Sequence, residues 1–266
     1  MLTLLIILMN FAFTGYSIYL FDYEKDGIIN NVPVIILCVI SSLLLTAFIV
    51  WSLIEILYLL LPKDKIQKSM FTHKLIKQIA SVPFHLSRIR IKVVGLELLP
   101  KDTGFTIYSN HNSWIDPTLI MNSLYNYPVA GLGKEGAFTI PVIGKFAPKM
   151  GFVMIHRDDA RQSARAIKTV IQRVQDGYSM IIFPEGTRNK RNDTVLDFKA
   201  GAFKVALRSE RPIVPITLVK PPKKKWRFIT RIKVVIHKPV AYNDFKNKKT
   251  NDIAKEIQQV IKSVLL

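Results

Sequence analysis

Cysteine is the residue that this chain has least of: Cys38 is the only one among 266 residues. A single cysteine excludes an internal disulfide. Cys38 also lies inside a long apolar stretch, where a thiol is a poor nucleophile, so a covalent intermediate on sulfur is excluded as well.

Several familiar catalytic motifs are missing too. The sequence has no G-x-S-x-G, no H-E-x-x-H and no G-x-x-x-x-G-K-[ST], which argues against an α/β-hydrolase serine, a zinc protease and a P-loop. Four of the five histidines are scattered, and we expect surface or structural roles for them: His73, His85, His156 and His237. We predict no metal site and no bound cofactor.

Charge is absent from two long stretches near the N-terminus. Residues 2–21 carry no charged side chain, and residues 32–61 carry only Glu55. Both reach the roughly 18–20 apolar residues that cross a bilayer, and the first lacks the basic start of a signal peptide. The pattern predicts a transmembrane helical hairpin over residues 1–61. In the alternative, one segment lies in the interface or packs on the following domain.

Acidic residues are scarce after the second apolar stretch. Residues 62–266 hold 37 of the 38 basic residues and 15 of the 19 acidic ones. Residues 22–31 are acidic overall, whereas residues 63–77 hold five lysines and one aspartate. The positive-inside rule therefore predicts an integral membrane protein whose large C-terminal part faces the cytoplasm.

Such a basic excess favours anionic partners, which include anionic lipids, anionic substrates and nucleic acids. The run KPPKKKWRF at 220–228 combines basic residues with Trp226 and Phe228. That composition suits a bilayer surface, where aromatic rings lie at the level of the headgroups, as well as it suits RNA. Because an anchor is already predicted, we expect membrane phospholipids as partners and no nucleic acid.

Alternating helical and extended patterns mark the rest of the chain. Residues 62–82 are basic with helical spacing of apolar residues and predict an interfacial linker helix. Residues 83–266 alternate between short apolar runs and helical segments, of which 159–175 is the clearest. We predict an α/β fold with a mixed β-sheet flanked by helices, preceded by the two-helix membrane anchor.

The stretch YSNHNSWIDP, residues 108–117, follows a predicted strand. On one continuous helix His111 and Asp116 would lie about 140° apart. If His111 lies in the turn before the helix and Asp116 in its first turn, the carboxylate can fix one imidazole nitrogen and leave the other free as a base. We expect Asn110, Asn112 or Ser113 to cap that helix. A capped helix with a purely structural histidine explains the same ten residues.

A second polar stretch, FPEGTRN at 183–189, directly follows the apolar run YSMIIF. The carboxyl ends of strands in α/β sheets commonly form ligand crevices. The Arg188 guanidinium is suited to hold a phosphate, and we expect Glu185 to position Arg188 or to bond a substrate hydroxyl. An ion pair of Arg188 and Glu185 that merely braces a turn is the alternative.

Three further stretches carry less information. GKEGAFTIPVIGKF, residues 133–146, places Lys134 at the end of a predicted strand, and GFVMIHRDD, residues 151–159, places Arg157 after another. Either side chain, taken alone, is an ordinary surface charge. RPIVPITL, residues 211–218, has no reactive group, and we expect it to wall a pocket with apolar side chains.

Taken together, the order NHxxxxD, KExxxxxIPxxG, GFxxIxR, FPEGTR and PIVPI resembles the glycerolipid acyltransferase family, over about residues 90–220. The resemblance implies acyl transfer from a thioester to the hydroxyl of a lysophospholipid, with acyl-CoA or acyl carrier protein as the donor. The best-known members are 1-acylglycerol-3-phosphate O-acyltransferases.

The resemblance also implies residue roles. His111 would be the general base and Asp116 its orienting carboxylate. The FPEGTR residues Glu185, Gly186, Thr187 and Arg188 would form the glycerophosphate site.

Further phosphate contacts are expected from Lys134 and Arg157, and an oxyanion contact from Asn110 or from backbone N–H groups at the helix start. The predicted reaction is acylation of lysophosphatidic acid to phosphatidic acid. Two rivals stay open: a different lysophospholipid acceptor, and a membrane-anchored lipid-binding protein without turnover.

Overall fold

The computed structural model describes residues 2–19, 32–62, 69–140, 142–156, 159–191, 193–222 and 228–265. The predicted connection at 22–31 lies outside these residues, as do the start of the linker at 63–68, Arg157, and the middle of the basic run at 223–227. The chain divides into two compact units, Met1–Asp64 and Lys65–Leu266, each of which is described by itself.

The N-terminal unit consists of α1, Leu2–Tyr19, and α2, Val32–Leu60. Both helices are long and apolar enough to cross a membrane, judged by length and composition. Polar side chains join them: the Asn10 amide donates to Thr46 Oγ1 at 3.3 Å, and the hydroxyls of Thr14 and Ser42 are 2.6 Å apart. Such bonds between apolar helices are stabilising because the polar groups find few other partners in lipid. The two helices are as predicted, and their passage through a bilayer stays a prediction.

A mixed seven-stranded sheet forms the centre of the C-terminal unit, in the order β1-β7-β6-β2-β5-β3-β4. The strands are β1 Ile89–Val94, β2 Thr106–Ser109, β3 Val129–Lys134, β4 Val153–Ile155, β5 Ser179–Ile182, β6 Ile213–Val219 and β7 Thr230–Ile236. All neighbours are parallel except β6 and β7. The predicted mixed sheet flanked by helices is confirmed.

The helices of this unit connect and cover the strands. They are α3 Met70–Leu86, α4 Asp116–Ser123, α5 Glu135–Phe138, α6 Ile143–Phe146, α7 Ala160–Gln175, α8 Lys204–Ser209, α9 Tyr242–Phe245 and α10 Thr250–Lys262. The predicted helix at 159–175 forms α7, and the Asp159 side chain caps it by accepting the backbone N–H of Gln162. The helical spacing of this segment would also place Ala164 on its apolar face, but Ala164 is exposed and Ala166 is buried.

The core lies between the sheet and the helices α7, α8 and α10. Strands β2, β5 and β6 are buried along nearly their whole length, as expected of central parallel strands covered on both faces. Their apolar side chains pack with Val170 and Val174 of α7 and with Ile253 and Ile257 of α10. This packing holds β2, β5 and β6 in fixed register, which matters because their ends carry the site.

Helix α3 differs from the predicted linker helix in its extent and its packing. It runs from Met70 to Leu86 and so crosses the expected boundary between residues 82 and 83. Its Phe84 packs against Leu119 of α4 and Ile232 of β7. The basic composition suggested an exposed surface helix, but the apolar face is buried against the α/β unit. An interfacial position of its other face stays a prediction.

The side chain of Lys77 is fully buried in this helix. Its ammonium donates to the carbonyls of Leu124, Tyr125 and Tyr127 at 2.9, 3.2 and 2.6 Å. These carbonyls lie at the end of α4, where backbone acceptors lack helical partners. Burial, and after it the charge of Lys74, lowers the pKa of Lys77 to about 7. Lys77 therefore fastens α3 to the end of the helix that begins at Asp116.

Replacing Lys77 with methionine is expected to lower the free energy of unfolding by about 1–3 kcal/mol, because three carbonyls lose their donor. The loss should grow as pH rises from 7 towards about 10. In that window the unfolded lysine binds a proton more tightly than the folded one, so rising pH stabilises the wild type. Unfolding in detergent, with exposed Lys92→Met as control, measures both effects; equal stability of the Lys77 and Lys92 variants would contradict this role.

Candidate active site

The site lies where three neighbouring parallel strands end at the same edge of the sheet. Strand β2 ends at Ser109, β5 at Ile182 and β6 at Val219. Tyr108 is in register with Ile182, and Ser109 with Ile216. The chain leaves β2 into the His111 turn, β5 into the FPEGTR loop and β6 into Lys220. Two of the predicted motifs are therefore side by side although they lie 72 residues apart in the sequence.

His111 and Asp116 form a hydrogen-bonded pair. His111 lies in the turn after β2, outside α4, and Asp116 is the first residue of that helix. The His111 Nδ1 is 3.0 Å from Asp116 Oδ2, which is the arrangement that the spacing required. The imidazole is 17% exposed, whereas the Asp116 side chain is completely buried. Because an ionised carboxylate only accepts, Nδ1 carries the hydrogen of this bond, so in the neutral ring the lone pair is on Nε2.

The carboxylate of Asp116 is kept ionised by its surroundings. Burial alone would raise the pKa of Asp116, but the hydrogen bond from His111, the Lys220 ammonium and the backbone outweigh it and lower the pKa. Oδ2 accepts the backbone N–H groups of Asn112 and Ser113 at 2.7 and 2.8 Å. Oδ1 pairs with the ammonium of Lys220. Asp116 can therefore orient the imidazole and balance a proton that the imidazole takes up.

The expected capping of α4 by Asn110, Asn112 or Ser113 is wrong. The residue before the helix is Ile115, and no side chain caps it. The polar residues of the turn are used differently, because Asp116 turns back and accepts the N–H groups of the turn itself. Pro117 lies at the helix start, as predicted, where its missing N–H costs nothing.

The FPEGTRN stretch, residues 183–189, contacts His111 at three points. The Phe183 ring stacks on the imidazole with centroids 4.1 Å apart and an angle of 18°. The backbone N–H of His111 donates to Glu185 Oε1 at 2.7 Å, and its carbonyl accepts the N–H of Asn189 at 2.7 Å. With its backbone and ring both held, His111 has little freedom to turn away from Asp116.

Glu185 is a buried brace in this arrangement. Its second oxygen accepts the N–H of Leu196 at 3.0 Å, so both carboxylate oxygens bind backbone groups. Burial raises the pKa of Glu185, with the charge of Asp116 acting in the same direction and the two N–H bonds opposing it. The expected pairing with Arg188 is absent among the described contacts, since Glu185 points inwards and Arg188 is exposed.

Gly186 is a position where only glycine fits easily. Its φ of +71° is in the left-handed region, and a Cβ there would lie 2.9 Å from both Cε and Nζ of Lys199. The loop thus turns sharply and lets the Lys199 side chain pass across it. Thr187 and Arg188 follow as exposed residues at the rim of the site.

Asn110 is buried and its amide is fully used. The Nδ2 group donates to Asn112 Oδ1 and to the Leu218 carbonyl, each at 3.0 Å, and Oδ1 accepts the Leu218 N–H at 2.8 Å. Both N–H groups are therefore already donated, which leaves none for a substrate oxygen. The side chain instead clamps the end of β2 to β6, just before Lys220.

Lys134 and Arg157 were predicted as further contacts. Lys134 is exposed at the carboxyl end of β3. This strand is separated from β2 by β5, so its end is displaced by two strand spacings, about 10 Å, from the His111 turn. Arg157 lies outside the described residues. Lys134 and Arg188 therefore lie at the same edge of the sheet. That both contact the phosphate of one substrate stays a prediction.

An apolar pocket includes residues on both sides of Asp116 in the sequence. Trp114 and Pro117, which flank Asp116 in the sequence, form part of its wall. Its other walls come from α3, α4, the end of β3 and the segment around α5, with side chains that include Ile76, Met121, Phe138, Ile140, Met150 and Phe152. The expectation that RPIVPITL walls a pocket is wrong for this one, because β6 is a buried core strand and its described residues do not line it.

Lys220 is the site residue that sequence reasoning missed. Its side chain is only 8% exposed and pairs with Asp116. In the sequence it begins the basic run at 220–228 and is indistinguishable from a solvated lysine. The one available signal was its place directly after an apolar strand, the same position that marked His111 and FPEGTR.

No group of three or more histidine, cysteine, aspartate or glutamate side chains that could hold a metal ion occurs among the described residues. The described side chains place an imidazole next to a buried carboxylate, with the Lys220 ammonium on the other carboxylate oxygen. Such a set suits proton transfer from a hydroxyl next to an anionic group.

Comparisons with known proteins bear on the family and the fold. A profile of the family described as Acyltransferase matches residues 90–219. A 1-acyl-sn-glycerophosphate acyltransferase from Thermotoga maritima has a similar solved structure, with a TM-score of 0.65, 24% identity, and coverage of 82% of this chain and 87% of that one. At this identity the likeness establishes the fold.

Two curated relatives are more similar in sequence. A chloroplastic 1-acyl-sn-glycerol-3-phosphate acyltransferase of Brassica napus is 36% identical over 177 residues, which are 64% of this chain and 49% of the relative. The chain thus spans about half the length of that relative. A 1-acyl-sn-glycerol-3-phosphate acyltransferase of Bacillus subtilis is 30% identical over 156 residues, which are 58% of this chain and 76% of the relative. This protein belongs to the glycerolipid acyltransferase family.

Proposed function

We propose that this protein is a 1-acyl-sn-glycerol-3-phosphate O-acyltransferase, which transfers a fatty acyl group from an acyl thioester to the sn-2 hydroxyl of lysophosphatidic acid. The product is phosphatidic acid. The observation that carries the proposal is the His111–Asp116 pair, with Nδ1 bonded at 3.0 Å and the stacked, partly exposed ring held by the FPEGTR loop. The activities in the names of the two curated relatives support the choice of reaction.

The chemistry follows from the state of the imidazole. The Nε2 lone pair takes the proton of the acceptor hydroxyl while its oxygen attacks the thioester carbonyl. Asp116 stabilises the resulting imidazolium through Nδ1. When the tetrahedral intermediate collapses, the carbon–sulfur bond breaks and the imidazolium returns its proton to the thiolate. The thioester is already activated, so positioning of the alcohol and one base suffice.

The phosphate of the acceptor would bind at the rim formed by the FPEGTR loop. The exposed Arg188 is able to form two parallel bonds with a phosphate. The tight turn at Gly186 and the exposed Thr187 add donors next to it. Lys134, on the same edge, and Arg157 are proposed as further phosphate contacts. Glu185 serves this site as a brace for His111 and the loop, because both its oxygens already bind backbone N–H groups.

The apolar pocket beside Asp116 is suited to a fatty acyl chain. Its walls are almost entirely apolar, and two of its lining residues, Trp114 and Pro117, flank Asp116 in the sequence. Burial of a chain there would be favourable by about 0.8 kcal/mol for each methylene group removed from water. The hydrophobic part of the substrate would thus be held on one side of the pair and the phosphate on the other.

The N-terminal helices would place this chemistry at a membrane. We propose that α1 and α2 cross the bilayer and that the C-terminal unit lies on the cytoplasmic face, in contact with membrane phospholipids. The length and apolarity of both helices and the lysine-rich residues that follow them support this. Lysophosphatidic acid would enter from the bilayer, and acyl-CoA or acyl carrier protein would deliver the acyl group from the cytosol.

His111→Ala is expected to lower kcat at least about a hundredfold, since it removes the general base. The assay follows phosphatidic acid formed by the purified protein from lysophosphatidic acid and an acyl thioester. His85→Ala, which removes an exposed histidine of α3, is the matched control and should retain activity. Undiminished activity without His111 would refute the mechanism.

The same assay with a panel of lysophospholipids tests the acceptor. Activity only with a lysolipid of a different headgroup would refute lysophosphatidic acid as the substrate. Binding of lysolipid without turnover under any condition would favour the lipid-binding alternative.

Arg188→Ala is expected to raise the KM for lysophosphatidic acid by about tenfold or more, in line with the loss of a charge-assisted bond. The KM for the thioester should change little. Arg165→Ala removes an exposed arginine from α7 and serves as the control. An effect confined to the thioester would refute the placement of the phosphate at this loop.

Asn110→Ala separates two roles for this residue. If Asn110 clamps β2 to β6, the variant should lose about 1–3 kcal/mol of unfolding free energy along with activity, because buried groups of Leu218 lose their partners. Thermal unfolding and kcat are measured on the same preparation. Full stability combined with a large fall in kcat would instead support the contact with the substrate oxyanion.

A further inference from the structure

We propose that Lys220 is a positioning residue of the catalytic pair: its ammonium neutralises the buried carboxylate of Asp116, so that Asp116 orients His111 without drawing a proton onto it in the resting enzyme. The inference rests on the proposed role of His111 as general base and deepens it. The residue acts through Asp116 and not by contact with substrate.

The two oxygens of the Asp116 carboxylate have different partners. Oδ2 faces the turn and accepts His111 Nδ1–H and two backbone N–H groups. Oδ1 faces the end of β6 and accepts the Lys220 ammonium. The Asp116 side chain is fully buried and that of Lys220 is 8% exposed, so water screens this pair little. The imidazole of His111 and the ammonium of Lys220 therefore bind different oxygens of one carboxylate.

The position of Lys220 is fixed by the backbone around it. Two residues earlier, Leu218 exchanges two hydrogen bonds with the Asn110 side chain, which ties β6 to the His111 turn. Pro221 and Pro222 follow, and they have no N–H groups with which to continue a strand ladder. The ammonium thus reaches Asp116 from a rigid strand end, as a positioning role requires.

The charges that face the imidazole explain why a cation is needed there. Asp116 contacts it directly, and the buried Glu185 binds the backbone N–H of His111 and interacts with Asp116. The ionised carboxylate of Asp116 beside the imidazole favours the protonated form of the ring. A protonated ring cannot take a proton from the substrate hydroxyl. Lys220, from β6, is the cation among the described residues that pairs with Asp116 and offsets this effect.

The charge of Lys220 is expected to change the protonation of His111 enough to affect its action as a base near neutral pH. A charge within about 4–6 Å of a titrating group typically moves its protonation midpoint by 1–3 pH units. Lys220 acts on the ring from the far side of Asp116, so we expect the lower end, about one unit. An imidazole titrates close to neutrality, where one unit decides whether most of the base is free.

A direct role in phosphate binding fits the geometry less well. Lys220 is almost closed off from solvent, and its ammonium is directed at Asp116. The exposed Arg188 is better placed for a solvent-facing anion. The two roles also differ in kinetics, because loss of a phosphate contact raises the KM for the lysolipid without changing the pH dependence.

The test compares wild type with Lys220→Met, which keeps much of the side chain and removes its charge. The pH profile of kcat/KM is recorded with lysophosphatidic acid and an acyl thioester. We expect its acid limb to move up by about one pH unit, with roughly a tenfold loss at pH 6 and substantial recovery near pH 8.5. Lys220→Arg should keep the wild-type profile. Lys233→Met, an exposed lysine of β7, is the matched control.

A second readout does not depend on turnover. The protonation midpoint of His111 is followed by NMR of the histidine-labelled, detergent-solubilised full chain, with the signal assigned from the His111→Ala variant. Lys220→Met should raise this midpoint by about one unit. An unchanged midpoint, or an equal loss of activity at every pH, overturns the inference. If the wild type shows no acyl transfer, the proposed function fails while the midpoint still tests Lys220.

Lys220→Met leaves a buried carboxylate without its ion pair and could fail to fold for that reason. A further pair of variants tests the inference in that case. In the Asp116→Asn background the carboxylate charge is gone, so removal of Lys220 leaves no unpaired buried charge. The His111 midpoint should be higher in Asp116→Asn/Lys220→Met than in Asp116→Asn alone, since a nearby positive charge is lost. Equal midpoints in this pair also overturn the inference.

Discussion

The buried carboxylate of Asp116 is the constraint around which the site is built. An ionised carboxylate without solvent is costly unless its oxygens find donors. Here the donors are of three kinds and come from two parts of the chain: the imidazole of His111 and the N–H groups of its turn, and the ammonium of Lys220. The hydrogen bonds to this one carboxylate therefore join the end of β2, the start of α4 and the end of β6. The orientation of the proposed base is a consequence of that requirement.

A second buried carboxylate, that of Glu185, holds the backbone around His111. Glu185 joins the backbone of His111 to that of Leu196, and so ties the loop after β5 to the turn after β2. The stacking of Phe183 on His111 reinforces this link. FPEGTR is thus not only a phosphate-binding loop in the proposed reaction, because its first and third residues hold the base. The exposed residues Thr187 and Arg188 are left to meet the substrate.

The sequence predicted the elements better than their packing. Continuous apolar runs marked the buried strands, and the spacing in 159–175 marked α7, because both patterns depend on neighbours in the sequence. The basic segment 62–82 predicts a helix at the membrane interface, whereas the helix Met70–Leu86 packs its Phe84 against Leu119 and Ile232. Asn110 was assigned to substrate, yet its amide binds Leu218, 108 residues away. Such a partner leaves no trace in local spacing.

By itself, the sequence predicted the fold class and the two apolar helices, and it allowed the pairing of His111 with Asp116 across a strand-to-helix turn. The resemblance of its motifs to one family placed the FPEGTR residues in the same predicted site. Only the tertiary structure decided that Glu185 is a brace, that Asn110 is a clamp and that Lys220 reaches Asp116. Parallel strands distant in the sequence end at the same edge, and only their packing brings these side chains within hydrogen-bonding distance.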